Sequence, residues 1–233
     1  MKISVVVPAY NEEKYIKRTL ESLKKQSLKP YEVIVVDNGS TDKTKEISEL
    51  LGAKVILEKN KGIGFARRAG FKAASGDVIA TTDADTILSA DWLFKISNAF
   101  LKNKEIIAVG GPYKFDTDKY KIIIKTVSLI WIFGDRILNW GNNIPGVNMA
   151  VSKEAYQKSG GFKKIYYFED LDLSLRLKRI GKVLFLRNLE VTTSFRRYIK
   201  KGIFKTAFSY MKHYFVYIFK KHDVVMDDVR IKK

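Results

Sequence analysis

The 233-residue sequence contains no cysteine, two histidines and four prolines. Without cysteine there can be no disulfide, thiolate nucleophile, zinc finger or iron–sulfur cluster, which suits a reducing compartment. His213 and His222 both lie near the C-terminus, so a metal held in the body of the chain would rest on carboxylates, the ligands of hard cations. Acidic residues are outnumbered: 43 Lys and Arg against 25 Asp and Glu leave +18, a field that attracts nucleic acid, anionic lipid or polyphosphate. The apolar run from Ile122 to Phe133 is interrupted by Lys125 and falls short of the roughly 18 uncharged residues of a membrane span. The chain starts directly on strand-like Ile3 to Val7, so we expect no signal peptide and a cytoplasmic protein. Apolar residues are plentiful. At 46% hydrophobic and 12% aromatic the chain can bury a sizeable core, which excludes disorder, collagen-like repeats and a disulfide-stapled miniature.

Short, β-branched runs occur at Ile3 to Val7, Glu32 to Val36, Lys54 to Leu57, Val78 to Thr82 and Ile106 to Val109. They read as strands buried on both faces. Between them lie helical periods: Tyr15, Ile16, Thr19, Leu20 and Leu23; Ile47, Leu50 and Leu51; Ala66, Ala69 and Ala73; Trp92, Leu93, Ile96 and Phe100. Strand alternating with helix predicts an α/β fold with a mainly parallel sheet. Asn11 before Glu12 and Glu13 reads as a helix N-cap, and Gly52 and Gly76 as helix stops. The alternation ends near residue 110. A helix is expected around Tyr120 to Trp140, then a Gly/Asn/Pro stretch from Gly141 to Asn148, a strand at Met149 to Ser152 and a helix from about Asp170 to Ile180. One large domain is expected over residues 1–195, in two parts of about 1–110 and about 111–195, with a basic tail over 196–233.

In open α/β sheets, ligands sit beyond the carboxyl ends of the strands. The loops there are Pro8-Ala9-Tyr10-Asn11-Glu12, Asp37-Asn38-Gly39-Ser40-Thr41-Asp42, Lys59-Asn60-Lys61-Gly62 and Thr82-Asp83-Ala84-Asp85. Carboxylates two apart on extended backbone point the same way, so Asp83 and Asp85 suit Mg²⁺ or Mn²⁺ shared with substrate phosphates; alternatively they close a strand and cap a helix. Asp37 or Asn38 suits a pyrimidine N3–H or ribose hydroxyls, or else serves the turn. Lys61, Arg67 and Arg68 suit phosphate, or form a solvated helix face. Glu169 and Asp170 begin a helix, where acids complement the dipole and where a carboxylate can also act as general base. Gly146-Val147-Asn148 and Gly160-Gly161-Phe162 place flexible backbone beside that helix.

Taken together these segments resemble the family 2 glycosyltransferases, inverting enzymes of the GT-A fold. The matching pieces are Val6 to Glu13, Val36 to Asp42, Asn60-Lys61-Gly62 with Ala66-Arg67, Asp83-Ala84-Asp85, Gly146 to Ala150, Gly160-Gly161-Phe162 and Glu169 to Leu173. An ordered series is far more specific than any one motif. The resemblance implies that Pro8, Ala9, Tyr10 and Glu12 line a nucleotide pocket, with Asn38, Gly62 and Arg67 beside it. It further implies that Asp37 binds the nucleoside, that Asp83 and Asp85 hold the sugar phosphate and a Mn²⁺ or Mg²⁺ ion, and that Asp170 deprotonates an acceptor hydroxyl. Gly146, Asn148, Glu169, Arg196 and Arg197 would border the acceptor and diphosphate. Asn38 stands where the family often has a second Asp. Thr192-Thr193-Ser194 stands where some relatives bring a metal-binding His.

The implied activity is metal-dependent transfer of a sugar from a nucleoside diphosphate to an acceptor hydroxyl, which could be lipid-linked. A nucleotidyltransferase making the sugar nucleotide is a second enzyme class, although its Gly-rich loop after the first strand is replaced by Pro8-Ala9-Tyr10-Asn11. A nucleic-acid-binding protein would use the positive charge, yet the sequence carries no helix-turn-helix or RNA-recognition signature, and no nucleic-acid partner is expected. Residues 196–233 contain eleven Lys or Arg and three Asp, so +8 falls in the tail. There, Phe204, Phe208, Met211, Phe215, Ile218 and Phe219 form one stripe of an amphipathic helix from Ile199 to Phe219, with Lys205, Ser209, Lys212, His213 and Lys220 opposite. Such a helix can lie on an anionic membrane, pack on the domain or contact a second subunit.

Overall fold

A computed structural model describes residues 1–120, 143–165 and 167–219. Four βα units open the chain: β1 (Ile3–Ala9), α1 (Ile16–Lys24), β2 (Glu32–Asp37), α2 (Thr44–Leu50), β3 (Lys54–Leu57), α3 (Ile63–Ala73), β4 (Val78–Thr81) and α4 (Trp92–Lys102). There follow β5 (Ile106–Gly110), β6 (Tyr113–Phe115), β7 (Met149–Ser152), α5 (Lys153–Lys158), α6 (Glu169–Lys178), β8 (Lys182–Phe185), β9 (Val191–Thr193), α7 (Arg196–Lys201) and α8 (Ile203–Phe219). The main sheet has the order β3-β2-β1-β4-β7-β5-β8, and β6 pairs with β9 in a second, two-stranded sheet. Only β7 runs antiparallel to its neighbours, β4 and β5. The sheet is therefore mainly parallel, as expected.

Alternation along the strands divides the core between the two faces. Val5, Val7 and Ala9 meet Ile16, Leu20 and Leu23 of α1 and Trp92, Leu93 and Ile96 of α4. Val6, Ile34 and Ile79 meet Phe71 of α3, Tyr156 of α5 and Leu173 and Leu177 of α6. Each such side chain contributes about 1.5–3 kcal/mol on burial. This sandwich holds β1 and β4 rigid and presents the loops beyond their carboxyl ends along one edge.

The structure corrects several sequence expectations. Strand β3 lies at the sheet's edge with Lys54 and Leu57 exposed, so it is not buried on both faces. Helix α1 starts at Ile16, beyond Asn11; Asn11 adopts φ +55°, and its side-chain oxygen accepts from the Thr41 N–H at 2.8 Å. Gly52 does follow α2 with φ +79°. Gly76 stands three residues beyond α3 and instead donates its N–H to Ser4 Oγ at 2.8 Å, where β1 passes close by. Strands β6, β8 and β9 carry no strong alternation and were not anticipated. The helix expected around Tyr120 to Trp140 lies outside the described residues, apart from Tyr120.

The tail contains two helices, broken at Gly202, whose φ of +83° suits glycine. Helix α8 turns Thr206 and Tyr217 inward; Tyr217 Oη donates to Asp172 at 3.4 Å and its ring packs with Leu171 and Phe168. His213, expected on the polar side, stacks on Tyr167 at 4.2 Å between centroids. Phe208, expected in the apolar stripe, is 64% exposed. The other stripe side chains, Phe204, Met211, Phe215, Ile218 and Phe219, lie outside the described residues, as does Lys220.

Candidate active site

The loops after β1, β2 and β4 are fastened to one another before any ligand enters. Strand register sets Pro8 beside Val36 and Ala9 beside Asp37. The Asn38 N–H donates to Ala9 O at 2.9 Å. Backbone N–H groups of Glu12 and Glu13 donate to Thr44 Oγ1 and Asp42, while Thr19 on α1 donates to Ala84 O at 2.8 Å. Asn38 uses its whole amide as a brace: its NH₂ donates to Glu58 O at 2.8 Å and Asn60 O at 2.7 Å, and its oxygen accepts from Gly62 N at 2.7 Å. That explains Asn at this position, since a carboxylate could not donate to two carbonyls. Asp37 is buried, with one oxygen accepting from Ser40 N at 3.0 Å. Tyr10 lies under the Lys61 ammonium, 5.9 Å from its ring centre. Asp37, Tyr10 and Gly62 thus stand at one edge with Asp83.

Buried Arg67 is the hinge of the site's electrostatics. Projecting from α3, its guanidinium binds Asp83 at 2.6 Å with one nitrogen and Glu169 with another. Glu169 lies 102 positions away in the chain. Burial pushes its carboxyl up to about 7, Arg67 opposing and Asp170 adding to the shift. Gly146 passes so close that a Cβ there would stand 2.3 Å from the Arg67 guanidinium, and its N–H donates to Asp170 Oδ2 at 2.8 Å. Asp170's other oxygen accepts from Leu171 N at 2.8 Å. Glu169 is buried and engaged by Arg67, whereas Asp170 is partly accessible. Neighbouring acids at one helix start therefore have different capacities: Glu169 balances Arg67, and Asp170 can meet a ligand.

The second charged knot joins the loops after β1 and β4 to the start of α7. Arg196, at the start of α7, pairs with Glu12 through its Nη2 and donates from Nε to Asp85 Oδ2 at 3.1 Å. Tyr15 supports it, with Cζ 4.1 Å from the ring centre. Thr193 donates to the other Asp85 oxygen at 3.2 Å. Burial raises the Glu12 carboxyl to about 7 against the pull of Arg196, and burial followed by the charge of Asp83 raises Asp85. Burial is the first cause of both shifts, and the charge of Asp83 adds to it. Among the described residues no three His, Asp or Glu side chains converge as a complete metal cage. The two carboxylates Asp83 and Asp85, two positions apart after β4, nevertheless fit Mg²⁺ or Mn²⁺, which binds through one or two acids, waters and substrate phosphates.

Two further residues expected at the site, Asn148 and Arg197, make contacts that the sequence does not show. Asn148 is fully buried, and its amide is engaged in the core: it accepts from Trp92 Nε1 at 2.9 Å and donates to Pro112 O at 3.1 Å and to Leu189 O. Arg197 donates to Tyr210 Oη at 2.9 Å, which ties it to α8, while its charge also acts on Asp83 and Asp85. Thr193 and Tyr15, which reach Asp85 and Arg196, were not anticipated, because a hydroxyl and a ring in these segments carry no spacing signal. The structure brings Asp83, Glu169, Asp170, Arg67 and Gly146 together, with Asp85, Glu12 and Arg196 alongside.

The profile of the family described as Glycosyl transferase family 2 matches residues 4–160. Glucosyl-dolichyl phosphate glucuronosyltransferase of Haloferax volcanii is 27% identical over 70% of this chain and 56% of that protein. The probable glycosyltransferase YdaM of Bacillus subtilis is 27% identical over 77% of this chain and 47% of that protein. The chain thus spans about half the length of these relatives. Among solved structures, glucosyl-3-phosphoglycerate synthase of Mycobacterium tuberculosis superposes with a TM-score of 0.70 at 23% identity, covering 88% of this chain and 76% of that one. TarS 1-349 of S. aureus gives 0.64 at 22% identity, covering 83% and 60%. The strand order with one antiparallel member and these likenesses establish the GT-A fold, and the profile match over most of the sequence establishes that this chain belongs to glycosyl transferase family 2.

Proposed function

We propose that the chain transfers a sugar from a nucleoside diphosphate to an acceptor hydroxyl, with inversion at the anomeric carbon. The observation that carries this reading is the position of Asp170, which is partly accessible, fixed by the Gly146 and Leu171 N–H groups, and adjacent to the Arg67–Asp83 pair. Each Asp170 oxygen keeps a lone pair for an incoming hydroxyl. Asp170 takes the hydroxyl proton as the oxygen attacks, and one displacement from the far side inverts the centre. Asp37 and the loop braced by Asn38 hold the nucleoside, with Tyr10 and Gly62 bordering it. Asp83 and Asp85 would hold the divalent ion, whose chemistry is to neutralise charge on the departing diphosphate. Arg67 holds one oxygen of Asp83 in place.

Support for the donor class comes from likeness. The mycobacterial synthase has been crystallised with Mn²⁺ and UDP-glucose, and TarS with UDP-GlcNAc. We read residues 1–195 as the transferase domain and residues 196–233 as an extension of it. No helix among the described residues is long and apolar enough to cross a membrane. Exposed Ile199 and Phe208 beside exposed Lys200, Lys201, Lys205 and Lys212 favour contact with an anionic membrane surface, where the acceptor would be lipid-linked.

The test is a thermal-shift screen of nucleoside diphosphates and their sugars, with and without Mn²⁺. A metal-dependent rise with one nucleotide series is expected. No rise with any of them would refute the reading.

A further inference from the structure

The β9–α7 segment occupies Asp85 from both sides. Thr193 Oγ1 donates to Oδ1 at 3.2 Å, and Arg196 approaches Oδ2 at 3.1 Å while also pairing with Glu12. Arg67 meanwhile takes one oxygen of Asp83. A divalent ion entering between Asp83 and Asp85 therefore meets a carboxylate that already has a cation, and that cation belongs to the extension following the transferase domain. Tyr15 beneath the guanidinium and Glu12 beside it give Arg196 two contacts that do not involve Asp85.

We propose that Arg196 is a tethered counter-cation which competes with the divalent ion for Asp85, so that loading metal and donor draws Arg196 off Asp85 and shifts the start of α7. The proposal rests on the reading above that Asp83 and Asp85 form the metal side of the donor site. Arg196 is a positioning residue here: it satisfies Asp85 before the donor arrives and sets how tightly the ion binds. When released it keeps the pairing of its Nη2 with Glu12 and its contact with Tyr15, and the Nε donor that leaves Asp85 is available to a diphosphate oxygen. Loading of the site is thereby linked mechanically to α7 and, across Gly202, to α8.

The proposal is tested by Mn²⁺ binding to the full chain without nucleotide, counted from the loss of the free-ion electron paramagnetic resonance signal at pH 8. Wild type, Arg196→Gln and Arg196→Lys are compared, each first checked for a cooperative melt. Arg196→Gln should bind Mn²⁺ about tenfold more tightly, the change expected when one positive charge roughly 6 Å from a doubly charged ion is removed at the dielectric of water. Arg196→Lys should fall between the two. Equal or weaker affinity in Arg196→Gln would overturn the proposal. A second measurement uses wild type alone: adding Mn²⁺ with UDP should quicken amide exchange over residues 195–201, and unchanged exchange in protein shown to bind UDP would also overturn it. Failure of every variant to bind UDP with Mn²⁺ would instead sink the donor assignment, which the nucleotide-free measurement does not depend on.

Discussion

Replacing Arg67 by Met keeps most of the buried side-chain length and removes the guanidinium. Glu169, only 5% accessible at its side chain, is then left without its counter-ion. Removing one partner of a buried pair typically costs about 3–5 kcal/mol. Arg67 Nε has no hydrogen-bond partner, so no further bond is lost at that atom. For a chain of this size each kcal/mol lowers Tm by about 2–4 °C, giving a fall of about 6–20 °C. The sign of the pH dependence follows from Glu169. Its folded carboxyl lies at about 7 against an ordinary 4.5, so the folded state holds a proton that the unfolded state has released between those values. Stability from this group is fully present below pH 4.5 and is lost as pH rises through 7. Without Arg67 the carboxyl rises further, and the loss extends into the alkaline range. Thermal melts of wild type and Arg67→Met at pH 6 and pH 8 should therefore diverge most at pH 8, and Arg67→Met/Glu169→Gln should recover most of the difference. A fall of under about 2 °C at pH 8, or no recovery in the double variant, would refute this account of the buried pair.

Asp170→Asn should abolish sugar transfer, since an amide cannot take the hydroxyl proton, while nucleotide affinity by isothermal titration stays near wild type; unchanged turnover would remove Asp170 from its role. Asp85→Ala should lose the part of nucleotide affinity that depends on Mn²⁺, and retention of that part would place the ion elsewhere. Asn148→Ala should cost about 2–4 kcal/mol in denaturant melts, because the Trp92 N–H and two carbonyls lose their partner in the core; a change below 1 kcal/mol would show that water replaces the amide. Sedimentation with anionic vesicles should carry down the full chain and lose it when Lys200, Lys201, Lys205 and Lys212 are changed to Gln, with equal binding refuting the membrane contact.

Period and loop chemistry alone determined much of this protein. Continuous β-branched runs can be satisfied only in the middle of a sheet, and helical periods between them require crossovers, so β1, β2, β4 and β5 and the mainly parallel order were legible. So were the acidic and amidic loops, because the carboxyl ends of parallel strands must share an edge. Strands β6, β8 and β9 were not legible: three or four residues without alternation become strands only when a neighbour supplies the hydrogen bonds.

The pairing of charges was decided by tertiary structure alone. Arg67 and Glu169 lie 102 positions apart, and Glu12 and Arg196 lie 184 apart; no local rule couples residues at such distances. Glu169 and Asp170 are adjacent acids at one helix start, indistinguishable by dipole or spacing. Packing of α6 against α3 buries one on Arg67 and leaves the other accessible. Likewise the folded core turned Asn148 inward to satisfy Trp92, and the approach of α7 to β1 set Arg196 between Glu12 and Asp85. Sequence specifies which groups carry charge, but desolvation and proximity, which decide what each can do, arise only when distant segments close on one another.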